Sequence, residues 1–313
     1  MNTTPYEIFS GLALSRPGIA TVALALAATF PLTLNISVKF MTLLVRRVNI
    51  LGIHPSVASI SSVLLNLITL VPAALLLWCL NVLVPFDCIY DLLILLFCFD
   101  LASLRRSALD CAYQLRQGNK EEARNAVRPF VLREVDTLSP MGIAKAATES
   151  LPLNILEGIY VPLFWYLLFG PTMAFLSTFA VIMNKAANPK LPGNFYFGRL
   201  NVTLARTFCL FPGFLMLAML GLATSFPALK KAWEQRHLHP NIISALVIAT
   251  LGSYLDISLG GPRIYNGEKI RLANLGGITD PAPVHIEIIW RRVRNSILFL
   301  VLFMLLIRII FLL

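Results

Sequence analysis

Two glutamates and an asparagine lie just before a stretch that is apolar enough to enter lipid. Glu149, Asn154 and Glu157 precede the run IYVPLFWYLLFG, residues 159–170. Carboxylates held at such a boundary are candidates for a functional site. A structural explanation stays open, with Glu149 as a solvated surface acid. Glu157 would then complement a helix N-terminus, which stabilises by a few tenths to about 1 kcal/mol.

A second candidate site is the loop ISLGGPRIYNGEKIR, residues 257–271. Glycines at 260 and 261 would let the backbone approach a ligand closely, because glycine tolerates conformations that other residues avoid. Arg263 and Lys269 would hold a phosphate or a carboxylate there. The same composition is also typical of an ordinary basic loop on the cytoplasmic side of a membrane.

The elements that must position these residues are membrane helices. Of the 313 residues 57% are hydrophobic and only 13% are charged, more apolar than a soluble core of this size requires. The net charge of +10 does not indicate nucleic-acid binding, because the basic residues gather in loops beside apolar segments. Five cysteines without a CxxC pair predict neither a disulfide framework nor a zinc site.

Six segments are predicted to span the membrane, since about 20 apolar helical residues cross a 30 Å hydrocarbon core. They are 18–40, with a kink at Pro31, and 57–84, 89–104, 159–183, 202–227 and 296–313. Pro152 is predicted to interrupt the helix before the fourth span. A further apolar segment, 242–258, would export the basic loop after it if it crossed, so we predict a re-entrant or buried helix. The predicted fold class is all-α, polytopic, with about five to six transmembrane helices.

The distribution of Lys and Arg predicts the orientation. Basic residues concentrate in two segments, about 105–158 and 228–295, which are therefore predicted to be cytoplasmic helical insertions. Because no repeat of fixed period occurs, we predict one membrane domain over 1–313, multi-pass in a bacterial inner membrane. The lipid bilayer is the predicted partner, and the sequence does not determine an oligomeric state.

Taken together, the motifs between about 130 and 270 resemble the CobD/CbiB family, membrane adenosylcobinamide-phosphate synthases of cobalamin biosynthesis. The family pattern RDT…RA.VET.AEN..DG..APLF is matched or conservatively replaced at Arg133, Ala146, Glu149, Asn154, Glu157, Gly158 and Pro162. The family's LGGP..Y.G is matched at Gly260, Gly261, Pro262, Tyr265 and Gly267.

This resemblance implies an ATP-dependent ligase that joins a corrinoid carboxylate to the amine of an aminopropanol phosphate. Glu149 and Glu157 would be catalytic, as ligands of Mg²⁺ or as a base, and Asn154 would orient them or bind substrate. The implied substrate- and phosphate-binding residues are Arg133, Gly260, Gly261, Arg263, Tyr265 and Lys269. The corrinoid's large apolar face would suit a cavity at the membrane boundary.

The chain also departs from the family pattern by losing acids. An early aspartate-rich element is missing, Leu153 stands where the pattern has a second glutamate, and paired aspartates are absent around Ala205-Arg206. A catalytically silent sensor or regulatory protein of the AmpE type, which shares the outline without the acids, is therefore the alternative. A transporter is also left open, although the paired broken helices typical of that class are not visible.

Overall fold

The computed structural model of the protein describes residues 15–30, 34–49, 55–84, 86–189, 194–265, 268–270 and 272–310. Within them the chain is almost entirely helical. The α-helices are α1 Arg16–Thr29, α2 Leu34–Asn49, α3 Pro55–Leu83, α4 Asp87–Cys98, α5 Ala102–Arg116, α6 Lys120–Val127, α7 Pro140–Ile155, α8 Val161–Phe169, α9 Pro171–Ala186, α10 Phe195–Ala223, α11 Phe226–Glu234, α12 Ile242–Leu255 and α13 Pro283–Ile310. Short 3₁₀ turns lie at Arg128–Phe130 and Arg236–Leu238, and a π-helical segment, Leu156–Tyr160, joins α7 to α8.

Four helices of the described residues are long and apolar enough to cross a membrane: Ser56–Leu83, Pro140–Phe169, Phe195–Ala223 and Pro283–Ile310. Along the first of them Ile68, Leu76 and Trp78 are exposed, as expected of side chains that face lipid. Shorter apolar helices are α1 and α12. The prediction of an all-α polytopic membrane protein is confirmed.

Several predicted boundaries were wrong. The predicted span 159–183 is broken at Gly170, where φ is +87° and Pro171 starts α9. Pro152 does not end a helix, because α7 runs through it and continues by way of the π-helical segment. The predicted span 18–40 falls on two helices: the first ends at Thr29 and the second begins at Leu34. Pro31 itself lies outside the described residues.

Two other predicted spans also differ from the structure in length. Helix α4 has only 12 residues, about 18 Å, which is too short to cross the hydrocarbon core alone. Helix α13 begins at Pro283, well before the predicted start at 296, so its first turns carry the basic residues and its later turns the apolar run.

The chain divides into two compact units. One comprises Met1–Asp100, Val161–Phe208 and Val301–Leu313. Its buried apolar side chains come from α2, α3, α9 and α10, and include Leu65, Met183 and Phe197. Helix α4 packs against α1 and α9 in the same unit.

The other unit comprises Leu101–Tyr160 and Cys209–Leu300 and contains the predicted site residues. Helix α12 is buried along nearly its whole length, against α7, α11 and a small sheet, so the predicted protein-buried helix is confirmed. Four strands of three residues follow it: β1 Ser258–Gly260 pairs antiparallel with β4 Asn274–Gly276, and β2 Arg263–Tyr265 with β3 Glu268–Ile270. These strands were not predicted, since each is only three residues long.

Candidate functional site

Helix α7 carries the first part of the site. Its N-cap, Ser139, accepts a hydrogen bond from the Gly142 N–H at 3.1 Å, and Pro140 occupies the first helical position, where its missing N–H costs nothing. Lys145 and Glu149 are four residues apart and therefore lie on one face of the helix. Lys145 is half-buried and Glu149 is only 2% exposed, so Glu149 is not a solvated surface acid.

The segment between α6 and α7 brings in Arg133. It is fastened at both ends, because the Asn154 amide donates to the Phe130 carbonyl at 2.8 Å and Arg124 Nη2 donates to the Leu138 carbonyl at 2.9 Å. A second bond of the Asn154 amide, to the Ser150 carbonyl at 2.8 Å, fixes its own rotamer. Asn154 thus supports the segment that carries Arg133.

The turn between β1 and β2 supplies the third part. Gly260 and Gly261 have φ of +81° and +79°, a conformation that favours glycine. Their N–H groups are already engaged: Gly260 donates to Glu149 Oε1 at 2.6 Å, and Gly261 donates to the Ala273 carbonyl at 3.1 Å. The two glycines therefore shape the turn, and their N–H groups are not available to a ligand.

Glu149 is the centre of the arrangement. Arg263 Nη2 lies 3.0 Å and Arg133 Nη2 lies 3.4 Å from Glu149 Oε2, while Oε1 accepts from Gly260. The arginine side chains are only 11% and 7% exposed, so these contacts are screened little by water. One carboxylate thereby orders two guanidinium groups and the glycine turn. We call Glu149, Arg133, Arg263, Lys145 and the turn at Gly260 and Gly261 the Glu149 cluster.

Lys145 adds a third cation. A Cβ built at Gly261 would lie 3.5 Å from Lys145 Nζ and 2.7 Å from Asn274 Oδ1, so the ammonium group lies beside the turn. Lys145 interacts electrostatically with both arginines, with Glu149 and with Asp280. The cluster thus holds three cations around one carboxylate, with Asp280 as a further acid near Lys145. Asn274 is exposed, so the cluster reaches solvent on that side.

Glu157 lies apart from this cluster. It belongs to the π-helical segment and is half-buried, so it does not complement a helix N-terminus as the structural explanation held. Eight residues of helix separate it from Glu149, about 12 Å of rise. Tyr265 and Lys269 lie in β2 and β3, and their side chains are outside the part of the chain that the structure describes.

The described residues do not fit a magnesium ion held by Glu149 and Glu157. Magnesium needs several oxygen ligands at about 2.1 Å, but the oxygens of Glu149 face N–H groups and Glu157 is too far along the helix. Across the described ranges, no group of three or more His, Cys, Asp or Glu side chains is placed to hold a metal ion.

The CobD/Cbib protein family model matches residues 20–294, a range that contains every residue of the cluster. The chain belongs to the CobD/CbiB family. The structure brings Arg133, Glu149 and the 260–263 turn of this family member into contact.

Curated relatives from the family are named cobalamin biosynthesis protein CobD. The one from Streptococcus sanguinis is 29% identical over 191 residues, 59% of this chain and 60% of its own. That from a Sinorhizobium species is 32% identical over 171 residues, 52% and 53% of the two chains. The Stutzerimonas stutzeri protein is 28% identical over 224 residues, 70% and 73%. The chain thus spans little more than half the length of the first two, and no solved structure matches it.

Sequence reasoning missed three contributors to the site. Lys145 was detectable, since its i, i+4 spacing from Glu149 places both on one helix face. Arg124 and Asn274 were not detectable from sequence. Arg124 acts through its bond to the Leu138 carbonyl, and Asn274 acts through its place beside Gly261 in the β1–β4 pair.

Proposed function

We propose that the protein is a corrinoid amide synthase of the adenosylcobinamide-phosphate synthase type. It would join a corrinoid carboxylate to the amine of an aminopropanol phosphate. The observation that carries this proposal is the Glu149 cluster, which offers three cations at a turn that opens to solvent. The names of the relatives, which refer to cobalamin biosynthesis, support the choice of pathway.

In this proposal the cations hold the phosphate-bearing substrate. Lys145 and Arg263 flank the turn, and a guanidinium group binds a phosphate through two parallel N–H bonds. Glu149 positions the cations, because both of its oxygens are engaged by them and by Gly260. Asn154 positions the segment that carries Arg133.

The chemistry also requires energy and a base. Condensing a carboxylate with an amine releases water and is unfavourable in water, so ATP would supply the driving force. The incoming ammonium must lose a proton before it attacks. Glu157 is the candidate for that base, since it is half-buried and lies on a π-helical segment, a feature frequent at functional sites.

We further propose that the Glu149 cluster faces the cytoplasm of a bacterial inner membrane. The excess of Lys and Arg over about 105–158 and 228–295 supports this orientation. A corrinoid would then place its apolar face against the membrane boundary and its carboxylate toward the cations.

A catalytically silent protein of the AmpE type is the second candidate. The observation that favours it is the scarcity of acids: the chain lacks several family aspartates, and no metal-holding group of acids occurs in the described residues. A silent relative would keep the fold and lose the reaction.

Complementation of a bacterium that lacks its own corrinoid amide synthase tests the proposal. We expect the wild-type chain to restore corrinoid-dependent growth and Lys145→Gln to lower synthase activity about tenfold or more, because a phosphate contact is lost. The matched control is Lys120→Gln, at an exposed lysine at the start of α6. Membrane levels are measured by immunoblot for every variant.

The remaining outcomes separate the candidates. A wild-type chain that reaches the membrane but supports no growth favours the silent protein. Wild-type activity of Lys145→Gln would show that the cations do not hold the substrate. If Glu157→Gln is as active as wild type, then Glu157 is not the base.

A further inference from the structure

A second basic site lies at the edge of the apolar part of α13. It is a cavity of about 520 Å³ to which Arg291, Arg292 and Arg294 all contribute. None of the described residues that line it is acidic, and none belongs to the Glu149 cluster. Its volume is in the range of small-molecule sites.

One of the three arginines is held in place by the fold. The guanidinium carbon of Arg292 lies 4.9 Å from the centroid of the Tyr254 ring, and Arg292 Nη1 donates to the Ala223 carbonyl at 3.2 Å. These contacts orient the group before a ligand arrives, so less conformational freedom is lost on binding. Arg291 and Arg294 are exposed at the rim, where Arg294 Nη2 lies 3.4 Å from Asn295 Oδ1.

Two aliphatic residues also line the cavity, beside Tyr254 and Asn295. Leu255, the last residue of α12, and Ile288 of α13 contribute to the lining. The apolar run 297–307 follows directly after the arginines, in a helix long enough to cross a membrane. The cavity thus lies where a membrane helix passes from charged to apolar residues.

A ligand of this cavity must be anionic at one end and apolar at the other. Planar guanidinium groups match the oxygens of a phosphate, and basic pockets at the cytoplasmic ends of membrane helices bind anionic lipid head groups. Leu255 and Ile288 would contact the glycerol and the first acyl carbons. A free phosphate would leave Leu255 and Ile288 uncovered.

We propose that the cavity at Arg291, Arg292 and Arg294 binds a phosphate group, that of an anionic phospholipid. The lipid would anchor the start of the apolar run at the membrane surface. This inference does not depend on the proposed synthase activity, because it rests on other residues.

Calorimetric titration of the purified full chain in a neutral detergent tests the site. The probes are dihexanoyl phosphatidylglycerol, dihexanoyl phosphatidylcholine and inorganic phosphate. Because a basic residue near an anionic headgroup contributes about fivefold in affinity, Arg291→Gln with Arg294→Gln should weaken phosphatidylglycerol binding about 25-fold. The control pair is Arg105→Gln with Arg106→Gln, two exposed arginines of α5 that carry the same charge change.

The outcomes are distinct. The lipid site is supported if the Arg291→Gln, Arg294→Gln variant alone loses affinity for phosphatidylglycerol and the wild-type protein binds phosphatidylcholine only weakly. Inorganic phosphate bound as tightly as phosphatidylglycerol would keep the phosphate site but overturn the lipid as its source. The site would be overturned if the Arg105→Gln, Arg106→Gln control lost as much affinity for phosphatidylglycerol, or if the Arg291→Gln, Arg294→Gln variant lost none. If the double variant fails to fold by size-exclusion chromatography, Arg291→Gln alone at the exposed rim gives the same comparison, with about fivefold expected.

Discussion

Two buried polar clusters in this protein have opposite chemistry. In the unit that contains α3 and the first half of α10, Asn66 Nδ2 donates to Asn201 Oδ1 at 2.9 Å, and Asn201 Nδ2 donates to Ser62 Oγ at 3.2 Å. All three side chains are buried and neutral, and they bind one another. The Glu149 cluster of the other unit is charged, with three cations, one central carboxylate and a glycine turn.

This difference separates two roles for buried polar groups. A neutral cluster whose members satisfy one another joins two membrane helices, and such interhelical bonds contribute modestly. A buried charged cluster is costly to assemble, so its presence is weak evidence for stability and better evidence for a site. The neutral asparagine cluster therefore fits a role in packing, whereas the charge of the Glu149 cluster supports the proposal that it binds a ligand.

Removing the central carboxylate should have the largest effect. Glu149→Ala would leave Arg133 and Arg263 buried without their shared counter-ion, which costs about 3–5 kcal/mol of unfolding free energy. Denaturation in mixed micelles measures the loss. Glu122→Ala, at an exposed acid in α6, should change it by less than about 0.5 kcal/mol. If Glu149→Ala lowered the unfolding free energy no more than Asn201→Ala does, the two clusters would not differ in their effect on stability.

The glycine turn offers a comparison of intermediate size. Gly260 and Gly118 have similar φ of +81° and +77°, but a Cβ at Gly260 would overlap the Ala273 carbonyl oxygen, whereas nothing lies within 4 Å of one at Gly118. We expect Gly118→Ala to cost about 1 kcal/mol through backbone strain alone, and Gly260→Ala roughly 1–3 kcal/mol more. Thermal unfolding measures the stability of both variants. If Gly260→Ala and Gly118→Ala were equally destabilised, the turn at Gly260 would have relaxed to accept the methyl group.

The smallest effect is expected at the asparagine cluster. Asn66→Leu and Asn201→Leu should each cost about 1 kcal/mol, since each leaves one amide without its partner across the helices. The double variant should recover part of that loss, with a coupling energy of roughly 0.6–1.7 kcal/mol in a double-mutant cycle. Corrinoid-dependent growth should be unchanged, and its loss would contradict a purely structural role.

Much of the architecture follows from local sequence. Long apolar segments predict membrane helices because lipid leaves backbone groups no partner except one another, and α3, α10 and α13 were recognised on that ground. Segment 242–258 was predicted to be a re-entrant or buried helix because crossing would have exported a basic loop, and α12 is largely buried by protein. Glycines 260 and 261 were predicted to take conformations that other residues avoid, and both have positive φ. Their predicted close approach to a ligand stays a prediction.

Only the tertiary structure decided how these parts meet. Pro152 breaks a helix in water, but here α7 continues through it. Proline has no N–H to donate to the carbonyl four residues earlier, yet the helix passes Pro152 and leads into the π-helical segment that follows. Arg133, Glu149 and Arg263 are far apart in the chain, and nothing in their local sequence encodes that they touch. Their contact exists because the fold buries all three side chains together, where a charge is stable only beside its opposite.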